Sequence, residues 1–158
     1  MTIYEQMLSK YGSEDRRANF EVMQQIALAG LYRAGFFDYA AFYGGTCLRI
    51  FHGLQRFSED MDFSLLKTDP DFRFEDFFPA IVKEFELAGR RVEIAKKDKR
   101  SFGKVESAFL KDTTEVYNLS FQHEKSLKIK IEVDTEPPLL FGTEQKLLLM
   151  MPCITCET

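Results

Sequence analysis

The feature that most constrains this chain is a pair of aspartates at alternate positions of a short apolar run. In Met61–Leu66, apolar and polar side chains alternate, which predicts a β-strand with one buried face. Asp60 and Asp62 fall on the opposite face, where two ionised carboxylates repel each other. A divalent hard cation such as Mg²⁺ offsets that repulsion. For an isolated pair of this kind, a solvated strand face is the commoner explanation.

A Gly-Gly-Thr turn precedes this strand at Gly44, Gly45 and Thr46. Phe42-Tyr43 is expected to form a short strand, and Cys47–Gly53 a helical turn or two with Thr46 as its N-cap. The glycines let the backbone approach a ligand closely, and a helix N-terminus offers N–H groups to an anion. By itself such a turn is ordinary, and it lacks the lysine and the spacing of a phosphate-binding P-loop.

In combination, the turn and the aspartates suit phosphoryl or nucleotidyl transfer. The loop can hold the β- and γ-phosphates of a nucleotide while the carboxylates hold the metals that bridge them. A third carboxylate on a neighbouring strand is expected to complete a two-metal site. The polar face of Leu127–Asp134 offers Glu132 and Asp134, although a solvated ladder of lysines and acids explains that face equally well.

The segment Tyr43–Leu65 resembles the signature of the AbiEii-type nucleotidyltransferases, which belong to the DNA polymerase β-like nucleotidyltransferase superfamily. In that signature, GGT-x-LR is followed by RFSxDxDF. The matching elements are Gly44-Gly45-Thr46, Leu48-Arg49, Arg56-Phe57-Ser58 and Asp60-x-Asp62-Phe63. The sequence Lys130-Ile131-Glu132 is similar to the second motif of the family, a strand Lys-x-Asp/Glu.

This resemblance implies a Mg²⁺-dependent enzyme that moves an NMP from an NTP to an acceptor hydroxyl. The implied catalytic and metal-binding residues are Asp60, Asp62 and Glu132, with Asp134 as the fallback for Glu132. Nucleotide or phosphate contacts are implied for Gly44, Gly45, Thr46, Arg49, Ser58 and Lys130. Arg49 could instead pair with a nearby carboxylate, and Ser58 could cap the strand.

The family also implies a biological setting. It suggests a toxin of a bacterial toxin–antitoxin or phage-defence pair, with a cognate antitoxin as protein partner. The 3′ end of tRNA is the favoured acceptor. Three alternatives stay open: an NTP-binding domain without turnover, a protein-interaction domain, and a phosphotransferase that uses the same metal site.

Helices are expected early in the chain and strands later. The expected helices are Thr2–Lys10, a longer one from Ser13 or Asp15 to about Arg33 that ends at Gly35, and Phe74–Ala88. The later strands are predicted at Arg91–Lys96, Lys104–Leu110, Glu115–Gln122 and Leu127–Asp134. This order predicts an α+β (mixed α/β) fold, a polymerase β-like nucleotidyltransferase core. Its sheet is mixed or antiparallel, with N-terminal helices packed on one face.

Length and composition set further bounds. The 158 residues suit a single domain, 1–158, with a real hydrophobic core. A net charge of −4 argues against a protein that coats nucleic acid, although a local basic patch would suffice for contact with the end of an RNA. The CxxC at Cys153 and Cys156 is a weak zinc signal, and free thiols in a reducing cytoplasm are the expectation.

No apolar run is long enough to span a membrane and no signal-peptide core is present, so a cytoplasmic location is expected. The tail, Leu139–Thr158, resembles the lead-in to the helical C-terminal part of the family. Thr155 or Thr158 is the expected cap of the next helix. The chain is therefore expected to lack that helical part.

Overall fold

The computed structural model describes residues 16–43, 47, 59–98, 113–122, 127–136, 143–148 and 151–156. Within these ranges, helix α1 spans Arg16–Arg33 and helix α2 spans Phe78–Leu87. The strands are β1 (Ala40–Tyr43), β2 (Met61–Leu65), β3 (Val92–Lys96), β4 (Thr114–Phe121), β5 (Lys128–Asp134), β6 (Thr143–Leu148) and β7 (Met151–Cys156).

The described strands form one mixed sheet in the order β3-β4-β5-β2-β1-β7-β6. β2 runs parallel to β5, and β1 runs parallel to β7. The other neighbouring strands are antiparallel. The predicted α+β fold with a mixed sheet is confirmed, and β2, which carries Asp62, lies at its centre.

One face of the sheet is apolar and packs against both helices. Its buried side chains alternate along β2, β4 and β5: Met61, Phe63, Leu65, Tyr117, Leu119, Phe121, Ile129, Ile131 and Val133. From the helix side, Phe85 of α2 meets Phe121 edge to face, with ring centroids 5.7 Å apart. Burying each such side chain contributes about 1.5–3 kcal/mol. The intervening polar side chains of β2 and β5 are thereby directed to the opposite face.

Helix α1 is buried on nearly all sides. The predicted apolar stripe through Phe20, Met23 and Leu31 is fully buried. Polar residues outside that stripe are buried as well: Glu21, Gln24 and Gln25. The helix ends as predicted at Gly35, whose φ of 79° suits glycine. At Gly30, α2 approaches so closely that a Cβ atom would lie 3.0 Å from the carbonyl oxygen of Ala80.

Most of the predicted elements are confirmed to within two residues. The helix expected at Phe74–Ala88 is divided into a 3₁₀ turn, Phe74–Phe77, and α2, with proline in the first turn of α2. Cys47, the start of the expected helical turn, is helical and buried. The helix expected at Thr2–Lys10 and the strand expected at Lys104–Leu110 lie outside the described residues.

The tail differs from its prediction. Thr155 lies in β7, opposite Phe42 of β1, so the prediction of a helix cap at Thr155 was wrong. The antiparallel β6–β7 pair gives β1 a neighbour on its otherwise open side, and a buried strand needs such backbone partners. Thr158 lies outside the described residues. Neither described helix is long and apolar enough to cross a membrane.

Candidate active site

The pairing of β2 with β5 brings together two of the predicted carboxylates. In this parallel pair, Asp62 is the register partner of Glu132. Register partners on neighbouring strands point to the same face, and the strands lie about 4.8 Å apart. Asp60 directly precedes β2 and shares the face of Asp62, because side chains two positions apart in extended chain point the same way. The three acidic residues therefore lie near one another on the face opposite the helices.

The electrostatics show that these groups are close. Burial, a side-chain hydrogen bond with Glu132, and the charges of Glu132 and Asp60 raise the pKa of Asp62 to about 7, against a smaller lowering by Lys130. Burial also raises the pKa of Asp60; Lys130 opposes this, and Glu132 and Glu59 add to it. A hydrogen bond between two carboxyl groups requires a shared proton. Asp60, Asp62 and Glu132, the carboxylate cluster, thus carry more negative charge than the neighbouring cation neutralises.

Lys130 is the cation of this cluster. Its Nζ lies 3.0 Å from Oε1 of Glu132, two positions along β5 on the same face. Both side chains remain partly exposed, so the ion pair stays in contact with solvent. The structure therefore places the predicted phosphate-binding lysine directly beside the predicted carboxylates.

Asp134, the fallback for Glu132, has a different environment. It lies opposite Ser64, further along β2 than Asp62, and it is buried. Its Oδ1 accepts hydrogen bonds from Oγ1 of Thr113 at 3.4 Å and from the backbone N–H of Glu136 at 3.1 Å. These contacts join the end of β5 to the start of β4. The geometry therefore favours Glu132 over Asp134 as the neighbour of the aspartate pair.

The donor chemistry of the cluster fits a hard divalent cation. Asp60, Asp62 and Glu132 present carboxylate oxygens, the ligands that Mg²⁺ prefers. Burial and the neighbouring charges raise the pKa values of Asp60 and Asp62, and a bound cation would offset both effects. Among the described residues, no three Asp, Glu, His or Cys side chains already surround a common point. Glu132 is engaged by Lys130, and holding a cation would require that contact to rearrange.

Sequence reasoning missed one residue that positions this site. Gln24 of α1 is fully buried, and its Nε2 donates a hydrogen bond to the carbonyl oxygen of Glu59 at 3.1 Å. That bond fixes the backbone immediately before Asp60. A buried glutamine inside a helix is the only sequence signal, because its partner is 35 positions away along the chain.

The phosphate-binding residues predicted from the turn cannot be placed in the same way. Gly44, Gly45, Thr46, Arg49 and Ser58 lie outside the described residues. The residue before that segment is described. Tyr43, the last residue of β1, is the register partner of Asp62. Tyr43, which directly precedes Gly44 in the sequence, therefore lies next to Asp62 on the side away from β5.

Comparison with known proteins agrees with this architecture. The family model described as nucleotidyl transferase AbiEii toxin, type IV toxin–antitoxin system, matches residues 26–150. The chain therefore belongs to the AbiEii nucleotidyltransferase toxin family. No curated protein matches the chain significantly.

Two solved structures share the fold. MenT4, a nucleotidyltransferase toxin from Mycobacterium tuberculosis, has 18% sequence identity and a TM-score of 0.52 over 97% of this chain and 52% of its own. JHP933 from Helicobacter pylori has 20% identity and a TM-score of 0.50 over 89% of this chain and 52% of its own. This chain thus spans about half the length of the solved structures it matches.

Proposed function

We propose that this chain carries the catalytic carboxylates of a Mg²⁺-dependent nucleotidyltransferase that moves an NMP from an NTP to an acceptor hydroxyl. The observation that supports this most directly is the register of β2 against β5, which sets Asp62 beside Glu132. That pairing joins two motifs separated by about seventy positions of sequence. A solvated strand face, the simpler explanation of each motif alone, would not require the two to coincide.

In this proposal Asp60, Asp62 and Glu132 hold the metal, with Gly44, Gly45, Thr46, Arg49 and Ser58 binding the triphosphate. Bound Mg²⁺ supplies charge neutralisation at the phosphates. The acceptor oxygen forms a bond to the α-phosphorus, the bond from that phosphorus to the bridging oxygen breaks, and pyrophosphate leaves. Glu132 accepts the proton of the acceptor hydroxyl, directly or through one water.

Lys130 has two roles in this scheme. Without substrate, its ammonium group compensates part of the charge of Glu132 and the aspartates. With substrate bound, the same group can turn to a phosphate oxygen, because lysine is a flexible point charge with three donors. A cation held by Asp60, Asp62 and Glu132 would then compensate the carboxylates that the lysine leaves.

The biological role follows from the family and is also a proposal. We expect the protein to act as the toxin of a type IV toxin–antitoxin pair, with a cognate antitoxin as its protein partner. The 3′ end of tRNA is the proposed acceptor. A terminal ribose hydroxyl supplies the nucleophile that the chemistry requires.

Label transfer tests the catalytic proposal. The protein is incubated with Mg²⁺, total tRNA and an NTP labelled at either the α- or the γ-phosphate. Transfer of α-label is expected, and it should fall on the order of 10³-fold in an Asp60→Ala/Asp62→Ala variant. Glu86→Ala, which removes an exposed carboxylate of α2, serves as the control and should retain activity. Transfer of γ-label alone would identify a phosphotransferase, and equal transfer by the double variant would exclude catalysis at this site.

A further inference from the structure

The carboxylate cluster continues across the sheet into a strip of polar and basic side chains. β4 pairs with β5 so that Asn118 is opposite Lys130 and Ser120 is opposite Lys128. Val116, two positions before Asn118, is opposite Glu132. Asn118, Ser120, Lys128 and Lys130 therefore lie on the same face as the carboxylate cluster. We refer to Asn118, Ser120, Lys128 and Lys130 as the β4–β5 strip.

Every side chain of the strip carries a hydrogen-bond donor. Asn118 and Ser120 are half-buried and Lys128 is exposed. Within the part of the chain that the structure describes, no hydrogen bond or ion pair engages the side chains of these three residues. Asparagine is depleted in strands because it gains little from packing on a pleated surface. The amide group of Asn118, in the middle of β4, is therefore available to a ligand. On β3, Glu93 lies opposite Ser120 and forms the acidic limit of the strip.

The strip lies on a defined side of the site. β1, which leads into the Gly-Gly-Thr segment, flanks Asp62 on one side, and β5 flanks it on the other, followed by β4. If the triphosphate is held from the β1 side, the pyrophosphate leaves on that side. Attacking and leaving oxygens are roughly in line in such transfers. The acceptor hydroxyl must then approach over β5 and β4, where the strip lies.

The geometry points to the β4–β5 strip as the binding site for the acceptor strand, a sugar–phosphate backbone whose terminal hydroxyl reaches Glu132. Lys128 contacts a phosphate of the acceptor strand, and Asn118 and Ser120 hydrogen-bond to sugar hydroxyls or phosphate oxygens. Lys128, which is exposed, supplies a positive charge next to the site in a chain of net charge −4. This inference rests on the proposed nucleotidyl transfer, because the side of attack is derived from it.

Fluorescence anisotropy with a labelled single-stranded RNA oligonucleotide tests the strip without NTP. Lys128→Gln should weaken binding and reduce the slope of log K against log salt by about 0.7, the value for one phosphate contact in single strands. Lys128→Arg should retain the slope. Asn118→Ala should weaken binding about fivefold without changing the slope, because it removes a neutral hydrogen bond. Lys83→Gln, on the exposed surface of α2, is the matched charge control and should bind like the parent.

Two further measurements separate this inference from the proposed function. Binding of a fluorescent NTP analogue with Mg²⁺ should be unchanged in Lys128→Gln and Asn118→Ala and lost in Asp60→Ala/Asp62→Ala. In label transfer, the strip variants should raise the KM for tRNA and leave kcat within about twofold, since they act on binding alone.

The possible failures are distinct. If RNA does not bind, or if Lys128→Gln and Lys83→Gln weaken RNA binding equally, the strip is not the acceptor site. A protein or small-molecule acceptor would then be favoured. The proposed function would still be supported by NTP binding that depends on the aspartates. NTP binding that survives loss of both aspartates would overturn the proposed function, and with it the direction of attack from which the strip was inferred.

Discussion

Glu132 and Asp134 lie two positions apart on the same face of β5, yet their surroundings give them different tasks. Glu132 touches the other charged groups of the cluster, Asp62 and Lys130. Asp134 is occupied by a hydroxyl and a backbone N–H of the adjoining turns. A carboxylate whose oxygens already accept such bonds stabilises the fold, and one placed among other carboxylates is available to a cation.

Matched alanine substitutions separate the two roles. Glu132→Ala is expected to lower label transfer on the order of 10²-fold or more, because it removes a metal ligand and proton acceptor, with little effect on unfolding. Asp134→Ala should lower the free energy of unfolding by about 1–2 kcal/mol, because it removes two part-buried hydrogen bonds, and should change activity much less. Urea unfolding and label transfer measure the two effects. The opposite pattern would identify Asp134 as the third carboxylate.

At the scale of elements, Tyr117 ties β4 to the 3₁₀ turn before α2. Its ring is buried against Phe74, with centroids 4.7 Å apart. Its hydroxyl donates to Oε2 of Glu115 at 2.6 Å, and Oε1 of Glu75 lies 3.3 Å away. Burial first, then these carboxylates, raise the pKa of Tyr117 well above its usual range. The phenol thus stays neutral in the folded protein when it would ionise in the unfolded chain.

Tyr117→Phe tests that contact through its pH dependence. At pH 7 the variant should be less stable by about 1–2 kcal/mol, having lost a hydrogen bond to a charged acceptor. The folded-state pKa is raised, so the contribution of Tyr117 is fully present below the unfolded pKa of about 10 and decreases as the pH rises above it. The difference in unfolding free energy between parent and variant should therefore shrink by up to about 1.4 kcal/mol per pH unit above pH 10. Urea unfolding from pH 7 to 11 measures it, and a constant difference would contradict the assignment.

At the scale of the whole molecule, local patterns in the sequence predicted most elements but not their arrangement. Alternation identified β2 and β5, and the stripe through Phe20 and Leu31 identified α1. The parallel pairing of Asp62 with Glu132 could not be derived in the same way, because register between distant strands depends on the whole sheet. The strands of the tail were not predicted, because residues 143–156 do not alternate cleanly between polar and apolar side chains. These strands form by pairing along the otherwise open side of β1.

The candidate site was predictable to a similar extent. The aspartate pair could be selected by residue type and spacing, and the lysine of β5 by its resemblance to a family motif. The structure places them together. The choice between Glu132 and Asp134 required the register, and the contribution of Gln24 required the contact between α1 and the chain before β2. Each of these depends on side chains that meet only after the sheet and helices have packed.

Because the carboxylates come from two central strands, ligand binding should stabilise the fold as a unit. A ligand that binds only the folded state at 100 times its Kd adds about 2.7 kcal/mol. For a domain of this size that corresponds to a rise in Tm of roughly 5–10 °C. Mg²⁺ and NTP together should produce this rise in a thermal-shift assay, and EDTA should reverse it, since the triphosphate without metal meets uncompensated carboxylates. Asp60→Ala/Asp62→Ala should show no rise, whereas Glu86→Ala should match the parent. An equal rise with NTP in EDTA would place the nucleotide elsewhere on the molecule.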